Sequence, residues 1–298
     1  MNIYSLSLII LLLIIVIYFI DPKLFILLLV LPFLFIEPFY KVNYTSGGEF
    51  ASPPSSNVKK EIEAKWLNIN VEEIRKKLIC DLNCTYVHGM KKLIRVVFHH
   101  PKVKKGYIRI RREYIDDYHP VLYLTAKEYI VGDIKEFAME DEMRFTDYNT
   151  AKEWLSKFKD LNTVEMPDIV SFENIVDWMK NLGFEFKTYV ESFRTKFRSG
   201  QCKELAIDLI PGLNPYIEIE CNNEEELFNM AKQLGLKKDD ANYGPYANAF
   251  AKIYSLDVNI INNLIRELKF DTVDKHLGKY ITVNKDKFDE TFEKYRYI

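Results

Sequence analysis

The chain has 298 residues, 48% of them hydrophobic and 28% charged, with a formal net charge of −2. This length allows one large domain or two small ones, and the composition is that of a folded protein. The near-neutral charge excludes broad, sequence-independent nucleic-acid binding, though not a locally clustered anion site.

The first forty residues differ from the rest. Ile3 to Ile20 is apolar apart from Ser5 and Ser7, Asp21-Pro22-Lys23 interrupts it, and Leu24 to Ile36 is apolar again. A spanning helix needs about 20 residues, so residues 1–40 read as a membrane anchor, a hairpin of two short helices in contact with lipid. One spanning helix with an interfacial segment, or a cleaved signal peptide, are the alternatives. Lys23, Lys41, Lys59 and Lys60 place the globular part in the cytoplasm. Residues 41–56, rich in Ser, Gly and Pro, read as a linker. Cys80, Cys84, Cys202 and Cys221 show neither metal-ligand nor disulfide-framework spacing, so free thiols are expected.

The globular part opens on Glu61-Ile62-Glu63-Ala64-Lys65. Strand side chains alternate faces, so Glu61, Glu63 and Lys65 share one face. A helix follows over Val71–Leu82, with Ile74, Leu78 and Leu82 on one side. Strands are expected near Arg95–His99, Tyr107–Arg111, Leu122–Ile130 and Phe137–Thr146. Arg109 shares a face with Arg111, and Glu140 with Glu142 and Arg144. Helical spacing recurs over Thr150–Phe158 and from Ser171, an N-cap, to Leu182, with Gly183 as the stop. Tyr189–Phe197 and Glu204–Leu209 read as a hairpin through Ser199-Gly200-Gln201. The strand Tyr216–Glu220 and a helix from Glu224 to Leu234 follow. Ile260, Leu264, Ile265 and Leu268 in the tail, residues 258–298, read as a packing helix without chemistry.

Charged faces that recur on strand after strand imply a sheet curled around a polar interior. Lys65, Arg109, Arg111, Lys127, Arg194, Lys196 and Arg198 would repel one another without an anion, which is the physical reason to expect a ligand. Planar Arg forks match phosphate oxygens two at a time, and Arg95 and Arg144 add to the cationic set. Glu61, Glu63, Asp208, Glu218 and Glu220 supply oxygen donors suited to hard Mg2+ or Mn2+. Adjacent strand residues point apart, so His99 and His100 are not expected to share a metal ion.

The motif Glu61-x-Glu63-x-Lys65, the segment Lys203 to Leu213 with its Pro211-Gly212-Leu213 turn, and the acidic strand Pro215 to Glu220 stand in the order found in the CYTH superfamily, the triphosphate tunnel metalloenzymes. The chain resembles that family from about Lys59 to Leu256. The resemblance implies an α+β fold, a closed antiparallel eight-stranded β-barrel flanked by helices, occupying residues 57–257. It implies catalytic roles for Glu61, Glu63 and Lys65, substrate binding by the cations named above, and Mg2+ or Mn2+ on the carboxylates. The implied activity is metal-dependent hydrolysis of tripolyphosphate, thiamine triphosphate or a nucleoside triphosphate. The alternatives are a class IV adenylyl cyclase, which makes cyclic AMP and pyrophosphate from ATP, and a non-catalytic polyphosphate- or nucleotide-binding module.

Overall fold

Alternating apolar and charged positions on long β-branched and aromatic runs dictate strands with one oily and one polar face. The computed structural model describes residues 59–131 and 136–298, and the side chains of 62–129 and 139–298. The expected membrane hairpin, the linker and the Glu61 side chain lie outside these. Among the described residues no helix is long and apolar enough to cross a membrane.

The strands are β1 (Lys59–Trp66), β2 (Thr85–His99), β3 (Gly106–Tyr114), β4 (Pro120–Val131), β5 (Glu136–Arg144), β6 (Phe186–Arg198), β7 (Cys202–Leu209), β8 (Tyr216–Cys221) and the short β9 (Glu267–Leu268). Their order is β2-β3-β4-β5-β1-β8-β7-β6-β9, and β2 also pairs with β6 along most of its length. Every long strand therefore has two hydrogen-bonded neighbours in a curled antiparallel sheet. β9 adds to β6 in parallel.

Helices cover the outer face. They are α1 (Val71–Lys76), α2 (Tyr148–Ser156), α3 (Phe172–Asn181), α4 (Glu224–Gln233), α5 (Tyr246–Tyr254), α6 (Val273–Leu277) and α7 (Lys285–Tyr295). Three apolar clusters lie between helices and sheet. Ile108, Ile110 and Leu124 pack with Trp154 and Trp178 of α2 and α3. Ala64, Ile217 and Ile219 pack with Leu227 and Met230 of α4. Val190 and Leu268 pack with Phe250 and Phe288 of α5 and α7. The apolar core thus sits outside the sheet, which leaves the concave face to polar side chains.

Local signals explain the boundaries. Asn70, Asp147, Ser171 and Asn223 each accept a backbone N–H three residues on, the side-chain cap that starts a helix. Gly183 ends α3 with φ +92°, as its sequence position implied. In the Pro211-Gly212-Leu213 turn Gly212 has φ +83°, and a Cβ there would meet Phe288 at 2.8 Å.

Three expectations are corrected. β2 begins at Thr85, ten residues early, because register shifts between Tyr86 and Lys91 break its alternation. Cys202 and Cys221 form a disulfide: β7 and β8 place them directly opposite, 3.9 Å apart at Cα, a proximity that sequence spacing does not show. The tail is not one helix but a π-turn (Ile260–Leu264), β9, α6 and α7.

Candidate functional site

The curl encloses a cavity of about 1140 Å³ on the charged face of the sheet. Such a volume suits a small polar ligand. Glu63, Lys65, Arg95, Arg109, Arg111, Lys127, Arg194, Lys196, Arg198, Asp208, Glu218 and Glu220 all line it. The structure therefore gathers every expected cation but Arg144, and every expected carboxylate whose side chain it describes. Arg144 stands apart, exposed. His100 is buried, and its Nδ1 accepts the Lys102 and Val103 backbone N–H groups at 3.1 Å each, which gives it a structural role.

Most of these charges are paired. Arg194, 5% exposed, donates through Nε and Nη2 to both oxygens of Asp208 at 2.7 and 2.6 Å. It also reaches Glu218 at 3.0 Å and Glu204. Lys65 bridges Glu218 at 2.8 Å and Glu63 at 3.1 Å. Arg111 bonds Glu142 at 2.8 Å and Glu113 at 3.1 Å. Lys196 bonds Glu113 at 3.1 Å, and Glu204. Lys127 lies 3.6 Å from Glu140, and Arg109 lies 3.7 Å from it. Burial opposes the charge on Lys65, yet Glu218 and Glu63 raise it above the ordinary lysine value. Burial likewise opposes the charge on Glu218, yet Lys65 and Arg194 hold its carboxyl well below the usual range.

Arg198 at the exposed rim and Arg95 deeper in the cavity differ from these; Arg95 is the one that burial and like charges press on. Its guanidinium has no carboxylate ion-pair partner among the described residues, and its Nε–H is buried without an acceptor. Burial, then Arg194 and Arg109, lower its affinity for the proton. The described lining holds twelve Lys and Arg side chains against eight carboxylates, a surplus that an entering anion would offset.

The carboxylates bear on metal. Glu63, Glu220 and Glu204 are successive partners across β1, β8 and β7. Burial, Glu204 and Glu63 push the Glu220 carboxyl up. This row of hard oxygen donors carries a repulsion that a divalent cation would relieve, so the residues fit Mg2+ or Mn2+. Among the described residues no group of three or more His, Cys, Asp or Glu is close enough to hold a metal ion as it stands. Asp208, expected as a ligand, is instead committed to Arg194.

Glu113, Glu140, Glu142 and Glu204 are functional neighbours that the sequence reading left out of the site. Period two could have found Glu113, which has the parity of Arg109 and Arg111, and Glu204, which has that of Asp208. Tyr107, Tyr129 and Tyr216 also line the cavity, and Tyr246 and Asn248 reach it from α5. Asn259, Asn262 and Asn263 line it as well, so the tail expected to lack chemistry borders the site. No strand pattern marks these last residues.

No protein-family model matches the chain, and no curated protein matches it. Among solved structures it is similar to PH1012 of Pyrococcus horikoshii, at 23% identity over 62% of this chain and 96% of that one, with a TM-score of 0.44. It is also similar to a candidate adenylate cyclase of Vibrio parahaemolyticus, at 13% identity over 65% and 99%, with a TM-score of 0.45. A third is the triphosphatase of the Mimivirus capping enzyme, at 12% identity over 60% and 92%, with a TM-score of 0.32. In its motifs and in the order of its charged strands, the chain resembles the CYTH superfamily, the triphosphate tunnel metalloenzymes.

Proposed function

We propose that residues 57–257 form a closed eight-stranded tunnel that binds a triphosphate and hydrolyses it with Mg2+ or Mn2+. The observation that carries this reading is Arg95: a cation inside the cavity bonded to no carboxylate among the described residues, in a described lining with four more cations than anions. Closure of the tunnel is supported by the β2–β6 ladder.

In this reading Arg95, Arg109, Arg111 and Lys127 hold the phosphate oxygens and fix the chain in line. Lys65 and Lys196 complete the cationic wall. Glu63, Glu218 and Glu220 would hold the metal together with Glu61, and the ion supplies charge neutralisation and a more acidic water. The carboxylate row orients the attacking water, whose proton passes to solvent. The oxygen adds to the terminal phosphorus, the bridging P–O bond breaks, and the remaining diphosphate leaves with the electron pair. Residues 1–40 anchor the chain in a membrane.

A second reading, cyclisation of ATP, is favoured by one observation: Tyr216 and Tyr246 near Arg95, and the Tyr107–Tyr129 pair in the same cavity lining, offer aromatic surface that a base could use. One experiment tests both. The protein is incubated with tripolyphosphate or ATP and Mg2+ or Mn2+, and the products are separated by chromatography. Orthophosphate supports hydrolysis, cyclic nucleotide with pyrophosphate supports cyclisation, and no turnover of either substrate sinks both.

A further inference from the structure

Alternate strands of an antiparallel ring run the same way. β1, β2, β4 and β7 therefore all start at one end of the sheet, at Lys59, Thr85, Pro120 and Cys202. That end is where the chain enters the folded domain. It is also where a set of large apolar side chains faces water. Tyr118 is 81% exposed, Met90 59%, Tyr86 47% and Ile115 45%. Tyr86 and Met90 belong to the start of β2, and Ile115 and Tyr118 to the β3–β4 turn.

These four do not belong to a loose loop. Asp117 ties the turn to β2, accepting the Gly89 backbone N–H at 2.9 Å and the Tyr86 hydroxyl at 3.2 Å, with the Lys91 ammonium at 3.4 Å. Asp116 shapes the turn by accepting the Tyr118 and His119 backbone N–H groups at 2.7 and 2.8 Å. A tyrosine with a wet hydroxyl and an apolar ring suits the boundary between water and hydrocarbon. The chain outside the described residues adds the second argument. Its first forty residues are almost entirely apolar and end about 20 residues before Lys59. A linker of that length spans up to roughly 60 Å when extended, enough to reach any point on this rim.

We propose that the β2–β3–β4 sector of this rim is a bilayer-docking surface, with Tyr86, Met90, Ile115 and Tyr118 seated in the headgroup layer of the membrane that holds residues 1–40. Ile115 also lines the cavity, while Tyr86, Met90 and Tyr118 do not, so the bilayer borders the cavity mouth at this sector and does not cross it. The inference rests on the proposed anchor in residues 1–40, and not on which phosphate chemistry the cavity performs.

The test uses the full chain. Its three tryptophans, Trp66, Trp154 and Trp178, are all at most 4% exposed and shielded from lipid, so the parent's emission is a constant background to subtract. Tyr118→Trp and Met90→Trp are reconstituted into phosphatidylcholine–phosphatidylglycerol vesicles whose acyl chains carry bromine. Ile169→Trp is the control, at a position 69% exposed between α2 and α3. The expected result is a blue shift and loss of the added emission at 118 and 90, and neither at 169. Vesicles that float with the chain while 118 and 90 behave as 169 would overturn the docking surface and leave the anchor standing. A chain that does not float with vesicles overturns both. A blue shift without lipid that grows with protein concentration would assign the patch to a second copy, and one that is independent of concentration would assign it to residues 1–40 of the same chain. Either of these also overturns the proposal.

Discussion

Arg194 and Arg95 stand on neighbouring strands, line the same cavity and have opposite electrostatic situations. Arg194 on β6 is bonded by Asp208, Glu218 and Glu204, so its charge is spent inside the protein. Arg95 on β2 feels Arg194 and Arg109 more than Asp208, and no carboxylate among the described residues is bonded to it. The wall β6–β7–β8–β1 is stitched by ion pairs, and Arg111 on β3 is held by Glu113 and Glu142, while Arg95 on β2 keeps its charge available for a ligand. Residue type therefore does not set the role of a cation here. The number of carboxylates the neighbouring strands aim at it does.

Arg194→Ala probes the stitched wall and carries the largest expected effect. It leaves Asp208, 1% exposed, without its bidentate partner. Stability should fall by about 3–5 kcal/mol in urea unfolding, the usual cost of orphaning a buried charge. A loss confined to ligand affinity would erase the distinction between Arg194 and Arg95. Next in size, Glu63→Gln and Glu220→Gln should each lower metal-dependent turnover by on the order of a hundredfold, partly restored by excess Mg2+ or Mn2+. Binding of bare tripolyphosphate should survive both changes, since each removes a like charge. A metal titration of turnover decides, and an unchanged rate and metal requirement in both variants would remove the metal assignment.

Arg95→Ala should weaken tripolyphosphate binding by about 1.5–2 kcal/mol in calorimetry while leaving the melting temperature unchanged or raised. A drop in melting temperature with intact affinity would make Arg95 a structural residue like Arg194. The smallest effect is one of pH. The Glu220 carboxyl is raised in the fold, so its ionised form is destabilising. The penalty sets in above the ordinary glutamate value of about 4.3 and is complete once pH passes the raised folded value. Glu220→Gln should therefore stabilise the ligand-free protein at pH 7 by about 0.5–1 kcal/mol and do nothing at pH 4. Equal melting shifts at both pH values would show that Glu204 and Glu63 do not press on it.

Much of this was legible because strand alternation has a short period. Glu63 and Lys65, Arg109 and Arg111, and Glu218 and Glu220 are each pairs separated by two residues, and each pair lands on the cavity face. What alternation cannot show is partnership. That Asp208 faces Arg194 follows from the β6–β7 register, and that Cys202 faces Cys221 from the β7–β8 register. Both depend on turn lengths and a bulge rather than on local pattern. The early part of β2 was hidden by its register shifts. Tyr246 and Asn263 reach the cavity from helical segments, where tertiary packing alone decides which face looks inward.

The β1–β8 and β2–β6 ladders also constrain how the protein can be made. Ile62 pairs with Cys221, and Thr85 with Arg198, so the first two strands wait for partners more than a hundred residues downstream. On a ribosome the amino-terminal half emerges as strands with bare edges and an unsatisfied charged face. Pairing over such separations is slow, and edges held open that long are sites for wrong association. Chaperone demand during synthesis should therefore track the delay before residue 221 emerges, more than the stability of the finished fold.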